Sequence, residues 1–167
     1  MRAFMRSDRF VICAALAALA VAGCGKEIGD SCIIDSDCDP NGGRTCDTTM
    51  REGYCTILGC DFDTCPSEAA CVRFFSGGFA NRECDPSNAT HGADGCDLDE
   101  LCALDGHCVS RSSEVRYCMK ICKSSSDCRD GYECRDLGLM IAHGGEPVLQ
   151  PGDFVDSNSP QFCAPAL

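Results

Sequence analysis

Tryptophan is missing from the chain, and the other aromatics are few: three tyrosines and eight phenylalanines in 167 residues. No apolar run reaches the roughly 20 residues that a permanent transmembrane helix needs, which leaves shorter signals as the way to a membrane. There is no Cys-x-x-Cys and no adjacent Cys-Cys pair; the closest two cysteines, Cys118 and Cys122, are separated by three residues. Zinc knuckles, iron–sulfur clusters and dithiol redox sites rest on closely paired cysteines, so all three are disfavoured. Basic residues are scarce as well, 14 against 26 acids, for a formal net charge of −12. A polyphosphate backbone would be repelled, and nucleic acid is not an expected partner.

Cysteine is what the chain has in excess. Eighteen of the 167 residues are cysteine, above the roughly 8–10 per cent level that marks disulfide scaffolds. Few Leu, Ile, Val or Phe remain once the N-terminal apolar run is set aside. A domain that poor in core-forming side chains depends on cross-links worth roughly 2–4 kcal/mol each. Such bonds persist only in an oxidising compartment, so the composition calls for export.

The first 23 residues have the layout of an export signal. Residues 1–9, MRAFMRSDR, are basic, and residues 10–22, FVICAALAALAVA, are apolar. Val21-Ala22-Gly23-Cys24 then sets small residues directly before a cysteine. This order resembles the lipobox of bacterial lipoproteins. The resemblance implies cleavage before Cys24, a thioether-linked diacylglycerol on its sulfur and an acyl chain, palmitate for instance, on its amine. Gly25 stands where inner-membrane retention signals place Asp, which by the same resemblance points to the cell outer membrane. Ala20-Val21-Ala22 is also an ordinary A-x-A cleavage pattern. Parity separates the two: lipidation of Cys24 leaves sixteen cysteines, an even number, whereas simple cleavage leaves seventeen and an orphan thiol. The mature chain from Cys24 carries 11 basic and 25 acidic residues, net −14. Residues 24–31 are read as a lipidated tether.

The sixteen cysteines form two octets: Cys32, Cys38, Cys46, Cys55, Cys60, Cys65, Cys71 and Cys84, then Cys96, Cys102, Cys108, Cys118, Cys122, Cys128, Cys134 and Cys163. Matched one to one, their offsets are 64, 64, 62, 63, 62, 63, 63 and 79 residues. Seven agree within two residues, so the expectation is two homologous modules, 32–84 and 96–163, joined by a linker at 85–95. Each octet halves again, giving four units of four cysteines. Acidic or serine-rich residues fill the first gap of each (IIDSD, DFDT, DLDEL, KSSSD), as tight turns require. A β-hairpin is predicted between the third and fourth cysteine of each unit, most clearly at 71–84 around Ser76-Gly77-Gly78. In the last unit this interval grows into a long loop, 135–162, containing the apolar stretch LGLMIA. Four cysteines permit three pairings and eight permit 105; first-to-third with second-to-fourth in each unit would tie every turn to its hairpin. The fold class is a small disulfide-rich protein, tandem cysteine-rich modules of short hairpins and turns with little helix outside the signal. The spacing in CKSSSDCRDGYEC is similar to repeats of cysteine-rich bacterial surface lipoproteins, and faintly to Dickkopf and colipase modules. Those modules usually contain adjacent cysteines, which this chain lacks, so their inhibitory and receptor-binding activities do not transfer.

Few residues are arranged for chemistry. Asp35, Asp37, Asp39 and Asn41 alternate like the start of a calcium loop, but the twelfth position, which needs an acid, is Cys46; solvated turn residues are the competing reading. Gly29-Asp30-Ser31 has the form of an esterase nucleophile block without any downstream Asp-x-x-His or G-x-S-x-G to support it. His91, His107 and His143 share no ligand spacing. Phe74, Phe75 and Phe79 offer either an apolar contact tip or packing against disulfides. Arg111, Arg116, Lys120 and Lys123 concentrate positive charge, whose default role is to balance nearby acids. The expected function is a membrane-tethered, non-enzymatic structural or binding lipoprotein of the envelope. It needs no cofactor beyond its lipid and would meet an envelope protein or glycan. A peptidase inhibitor and a calcium-dependent adhesion module are the alternatives.

Overall fold

The computed structural model describes residues 25–76, 82–88 and 95–167. In chain order these contain α1 (Asp35–Cys38), β1 (Thr45–Cys46), β2 (Cys55–Thr56), β3 (Ala69–Phe75), β4 (Glu100–Cys102) and β5 (Cys108–Ser110). They continue through β6 (Glu114–Lys120), β7 (Tyr132–Arg135), α2 (Leu137–His143), β8 (Glu146–Pro147) and β9 (Phe162–Pro165). The protein is a small disulfide-rich fold of short antiparallel strands with little helix, held by eight disulfides.

The disulfides regroup the cysteines. The first unit pairs Cys32 with Cys46 and Cys38 with Cys55, and the last pairs Cys122 with Cys134 and Cys128 with Cys163. Between them, Cys60 bonds Cys71 but Cys65 bonds Cys118, 53 residues away. Cys84 bonds Cys102, and Cys96 bonds Cys108. The four middle pairs therefore belong to one unit made of Cys60, Cys65, Cys71 and Cys118, with a second made of Cys84, Cys96, Cys102 and Cys108 nested inside its hairpin.

Counted this way, all four units follow one plan. First bonds third, second bonds fourth, and the third and fourth cysteines face each other across an antiparallel ladder: Cys46 opposite Cys55, Cys71 opposite Cys118, Cys102 opposite Cys108, Cys134 opposite Cys163. Facing cysteines on a pleated pair point to the same side. Each then reaches down to the turn cysteine beneath it, so two bonds clamp one turn to one hairpin.

The arrangement departs from several expectations, among them a hairpin between Cys108 and Cys118, which does not form because β5 pairs with β4 and β6 with β3. The hairpin predicted at 71–84 does not form: β3 pairs along its length with β6, from Ala69 opposite Lys120 to Phe75 opposite Glu114, while Glu83 bridges His107. The linker expected at 85–95 lies between Cys84 and Cys96 of the nested unit, and β3 of the expected module 32–84 pairs with β6 of the expected module 96–163. The interval 135–162 is not one irregular loop, since it holds α2 and β8. Asp136 caps α2 by accepting from the Leu139 amide at 2.9 Å, and Gly144, with φ +77°, ends it in a conformation that glycine adopts without strain. β8 then adds to the other edge of β3, giving the order β6-β3-β8.

The apolar interior is modest. Tyr54, Phe162, Ile28, Met119, Met140 and Val72 are its largest fully buried side chains, set around the β3–β6 ladder. Tyr54 is the hub: its hydroxyl accepts from the Lys120 amide at 3.0 Å and donates to the Cys163 carbonyl at 3.3 Å. Its ring stacks on Tyr132 at 5.6 Å. One phenol thereby joins the first, second and fourth units. Burial pushes its ionisation well above the usual tyrosine value.

Candidate functional site

A cleft of about 540 Å³ lies between the second unit, the nested unit and the chain following β8. Phe62 and Phe154 stand partly exposed at its edges, with Leu101 and Leu104 from the nested unit on one wall. Arg73 and Arg116 reach it from neighbouring strands because β3 and β6 pair in register, placing the two residues directly opposite each other. The nested unit that supplies Leu101 and Leu104 is inserted within the interval closed by the Cys65–Cys118 bond.

Two of the cleft's arginines, Arg73 and Arg116, are paired with acids. Arg73 Nε lies 3.3 Å from Glu146 Oε1, and Glu146 is buried by the pairing of β8 with β3. Burial raises the Glu146 carboxyl above the ordinary glutamate value, against the pull of Arg73. Arg116 bonds Glu114 through Nε and Asp61 through Nη1, the latter at 2.9 Å, and these contacts raise its already high pKa. The side chains lining the cleft include no serine, threonine, histidine or free thiol, the only cysteine being Cys102 in its disulfide. Such walls can hold a ligand by apolar contact and by polar groups.

Several residues singled out in the sequence are occupied by the fold. All sixteen cysteines from Cys32 to Cys163 are paired; every close group of three or more His, Cys, Asp or Glu ligand atoms among the described residues draws on these bonded sulfurs. Asp35, Asp37 and Asp39 belong to no such group. Asp35 accepts from the Cys46 amide at 2.7 Å, Asp37 from Ile33 and Ile34 at 2.8 and 3.3 Å, and Asp39 from Asn41 and Gly43 at 2.8 and 2.9 Å. Those amide donors hold Asp37 and Asp39 below the usual carboxylate range. Carboxylates turned inward onto their own backbone make turn caps, the geometry that the solvated-turn reading describes.

Phe74 sits edge-on to Tyr117 at 6.0 Å and to Phe162 at 6.2 Å, packed against the core rather than forming a free tip, and the Arg73 guanidinium lies 5.7 Å from the Phe75 ring. Phe79, His91 and Cys24 lie outside the described residues, as does the signal segment 1–23. The basic group is dispersed onto partners: Arg116 on Glu114 and Asp61, Lys120 near Glu27 at 3.9 Å, Arg111 Nε on the Leu98 carbonyl at 3.3 Å. His143 Nδ1 meets Glu133 at 2.6 Å. Among the described residues no Asp–His pair backs Ser31.

Two functional placements carried no readable sequence signal. The Arg73–Glu146 pair joins residues from different units. Arg135, almost fully buried, donates to the His143, Gly144 and Pro165 carbonyls at 2.9, 2.7 and 2.9 Å, closing the C-terminal end of α2 onto β9.

No family model, curated protein or solved structure matches the chain. Eight disulfides mark it as an exported protein. No helix of the described residues is long and apolar enough to cross a membrane.

Proposed function

We propose that the chain is a lipid-anchored, non-enzymatic binding protein of the bacterial cell envelope, held to the outer membrane through Cys24 and presenting the cleft between its second and nested units to a ligand. The observation carrying this reading is that every cysteine from Cys32 onward is spent on a crossed-disulfide unit. That leaves Cys13, which departs with the signal, and Cys24, which stands where the lipobox resemblance puts the acylated residue. A rigid frame suits recognition, because little conformational entropy is lost when the ligand binds. A lining whose acids, Asp61, Glu146 and Asp153, balance its bases, Arg73, Arg111 and Arg116, suits a polar, uncharged surface such as a glycan or an envelope-protein segment, rather than a polyion.

The test is the intact mass of the full-length protein recovered from bacterial membranes, with and without reduction. The expected species begins at Cys24, carries diacylglycerol and an acyl chain, and gains two hydrogens for each of eight disulfides on reduction. Cys24→Ser should move it to the soluble fraction. A species without lipid, or a Cys24→Ser protein still in the membrane, overturns the anchoring.

A further inference from the structure

Ile33 and Ile34 are 81% and 57% exposed, two adjacent branched apolar side chains at the tip of the first unit's turn. The fold does not require them there. The same turn recurs ninety residues later, where Lys123 and Ser124 take the equivalent places between Cys122 and Cys128. In both turns a carboxylate four residues on accepts the two backbone amides: Asp37 from Ile33 and Ile34 at 2.8 and 3.3 Å, Asp127 from Lys123 and Ser124 at 2.8 and 3.0 Å. The same geometry therefore tolerates a cation and a hydroxyl; the turns of the second and nested units expose single apolar side chains, Phe62 and Leu98, and the first unit's turn alone among the four carries an adjacent pair. Isolated exposed apolar residues are ordinary; an adjacent pair on a stiff tip is a contact surface in want of an apolar partner.

The course of the tether at Gly25 and Lys26 says what that partner is. Gly25, directly after Cys24, lies on the same turn, so close to it that a Cβ on Gly25 would come within 2.8 Å of the Cys38 carbonyl oxygen and 3.8 Å of the Asp39 Cα. Arg44 holds this tether down by donating to the Lys26 carbonyl at 2.6 Å. Gly25 and Lys26 thus run against the element that displays the isoleucines, and Cys32–Cys46 with Cys38–Cys55 prevents that element from swinging away.

We propose that Ile33 and Ile34 dip into the apolar margin of the bilayer that holds Cys24, giving the domain a second point of contact and a fixed orientation. This rests on the lipid anchoring above. Asp35, Asp37 and Asp39 near the tip make the contact apolar rather than electrostatic, with the acids staying at headgroup level on their amide partners.

The absence of tryptophan makes the test direct, since one introduced indole is the sole reporter. Full-length lipidated Ile33→Trp, Ile34→Trp and, as control, Lys123→Trp are placed in phosphatidylcholine vesicles with bromine-labelled acyl chains. Indole at 33 and at 34 should lose much of its emission to the labelled lipid and resist aqueous iodide, while indole at 123 should do the reverse. Equal behaviour at all three positions overturns the contact. So does blue-shifted emission at 33 without lipid quenching, which would mean that a second copy or another protein covers the pair. Intact mass taken on the same samples separates the two readings: an unlipidated Cys24 overturns the anchor and this contact together, whereas a lipidated chain with unquenched indole overturns the contact alone.

Discussion

Cys65 is bonded to Cys118 across 53 residues, and the whole of the unit clamped by Cys84–Cys102 and Cys96–Cys108 lies inside that span. The bond closes the base of an insertion. It holds β3 against β6 and fixes the distance between the two walls of the cleft.

Removing that bond should cost more than removing a local one. Chain-entropy estimates give about 4 kcal/mol for a loop of this length when the other bonds are open, against about 3 kcal/mol for the 11-residue Cys60–Cys71 loop. Thermal melting of Cys65→Ser/Cys118→Ser should fall further than that of Cys60→Ser/Cys71→Ser. Equal losses would mean that the nested unit, not this bond, holds the sheet together.

Tyr54→Phe deletes one oxygen and leaves the buried Lys120 amide and Cys163 carbonyl short of a partner. The expected loss is roughly 1–3 kcal/mol, the usual consequence of an unsatisfied buried group. Denaturant unfolding measures it, and a change near zero would show that the hydroxyl is not the junction of three units.

Stability should follow two opposed titrations. Amide donors depress Asp37, Asp39 and Asp127 below their ordinary value of 3.8, so the stability they contribute is present above that value and is lost as pH falls through their folded values. Glu146 runs the other way. Its folded value is raised above 4.5 by burial, so its contribution is fully present below 4.5 and is lost as pH rises through the folded value. Melting temperature should therefore rise slightly on mild acidification and drop in stronger acid. In Glu146→Gln the first limb should vanish while the second remains; parallel profiles for the two proteins would contradict the assignment.

Calcium should leave melting unchanged. Asp35, Asp37 and Asp39 already serve backbone amides, and drawing them round an ion would open the turn between Cys32 and Cys46. Melting with excess calcium and with chelator is the check. A clear upward shift with calcium would restore the adhesion alternative.

The pairing logic was legible in the chain, and its grouping was not. Acid-rich first gaps and β-forming residues beside the third cysteines point to a turn clamped to a hairpin, which every unit forms. The number of residues between third and fourth cysteines varies freely, however, because a hairpin tip can accept an insertion without disturbing its base. Spacing alone therefore offers Cys84 as the fourth cysteine after Cys71, whereas Cys118 holds that place. The near-constant offset of 62–64 residues favours the same sequential grouping, for the nested unit has almost the spacing that a sequential one would have. α2 is marked by Asp136 and by Gly144-Gly145, but the short apolar stretch between them reads equally as enlarged loop. Phe74 reads as part of an exposed tip only while the partner of β3 lies within 71–84; with β6 in that role, the ring turns against Tyr117 and Phe162.

The central claim is four crossed-disulfide units, one nested in another, standing in for a large apolar core. Non-reducing peptide mapping by mass spectrometry, with fragments sequenced across each bond, tests it most directly. Linked fragments joining Cys65 to Cys118 and Cys84 to Cys102 are the predicted result. Fragments joining Cys65 to Cys84 and Cys102 to Cys118 would restore sequential units, and would take away both the nested arrangement and the cleft built on it.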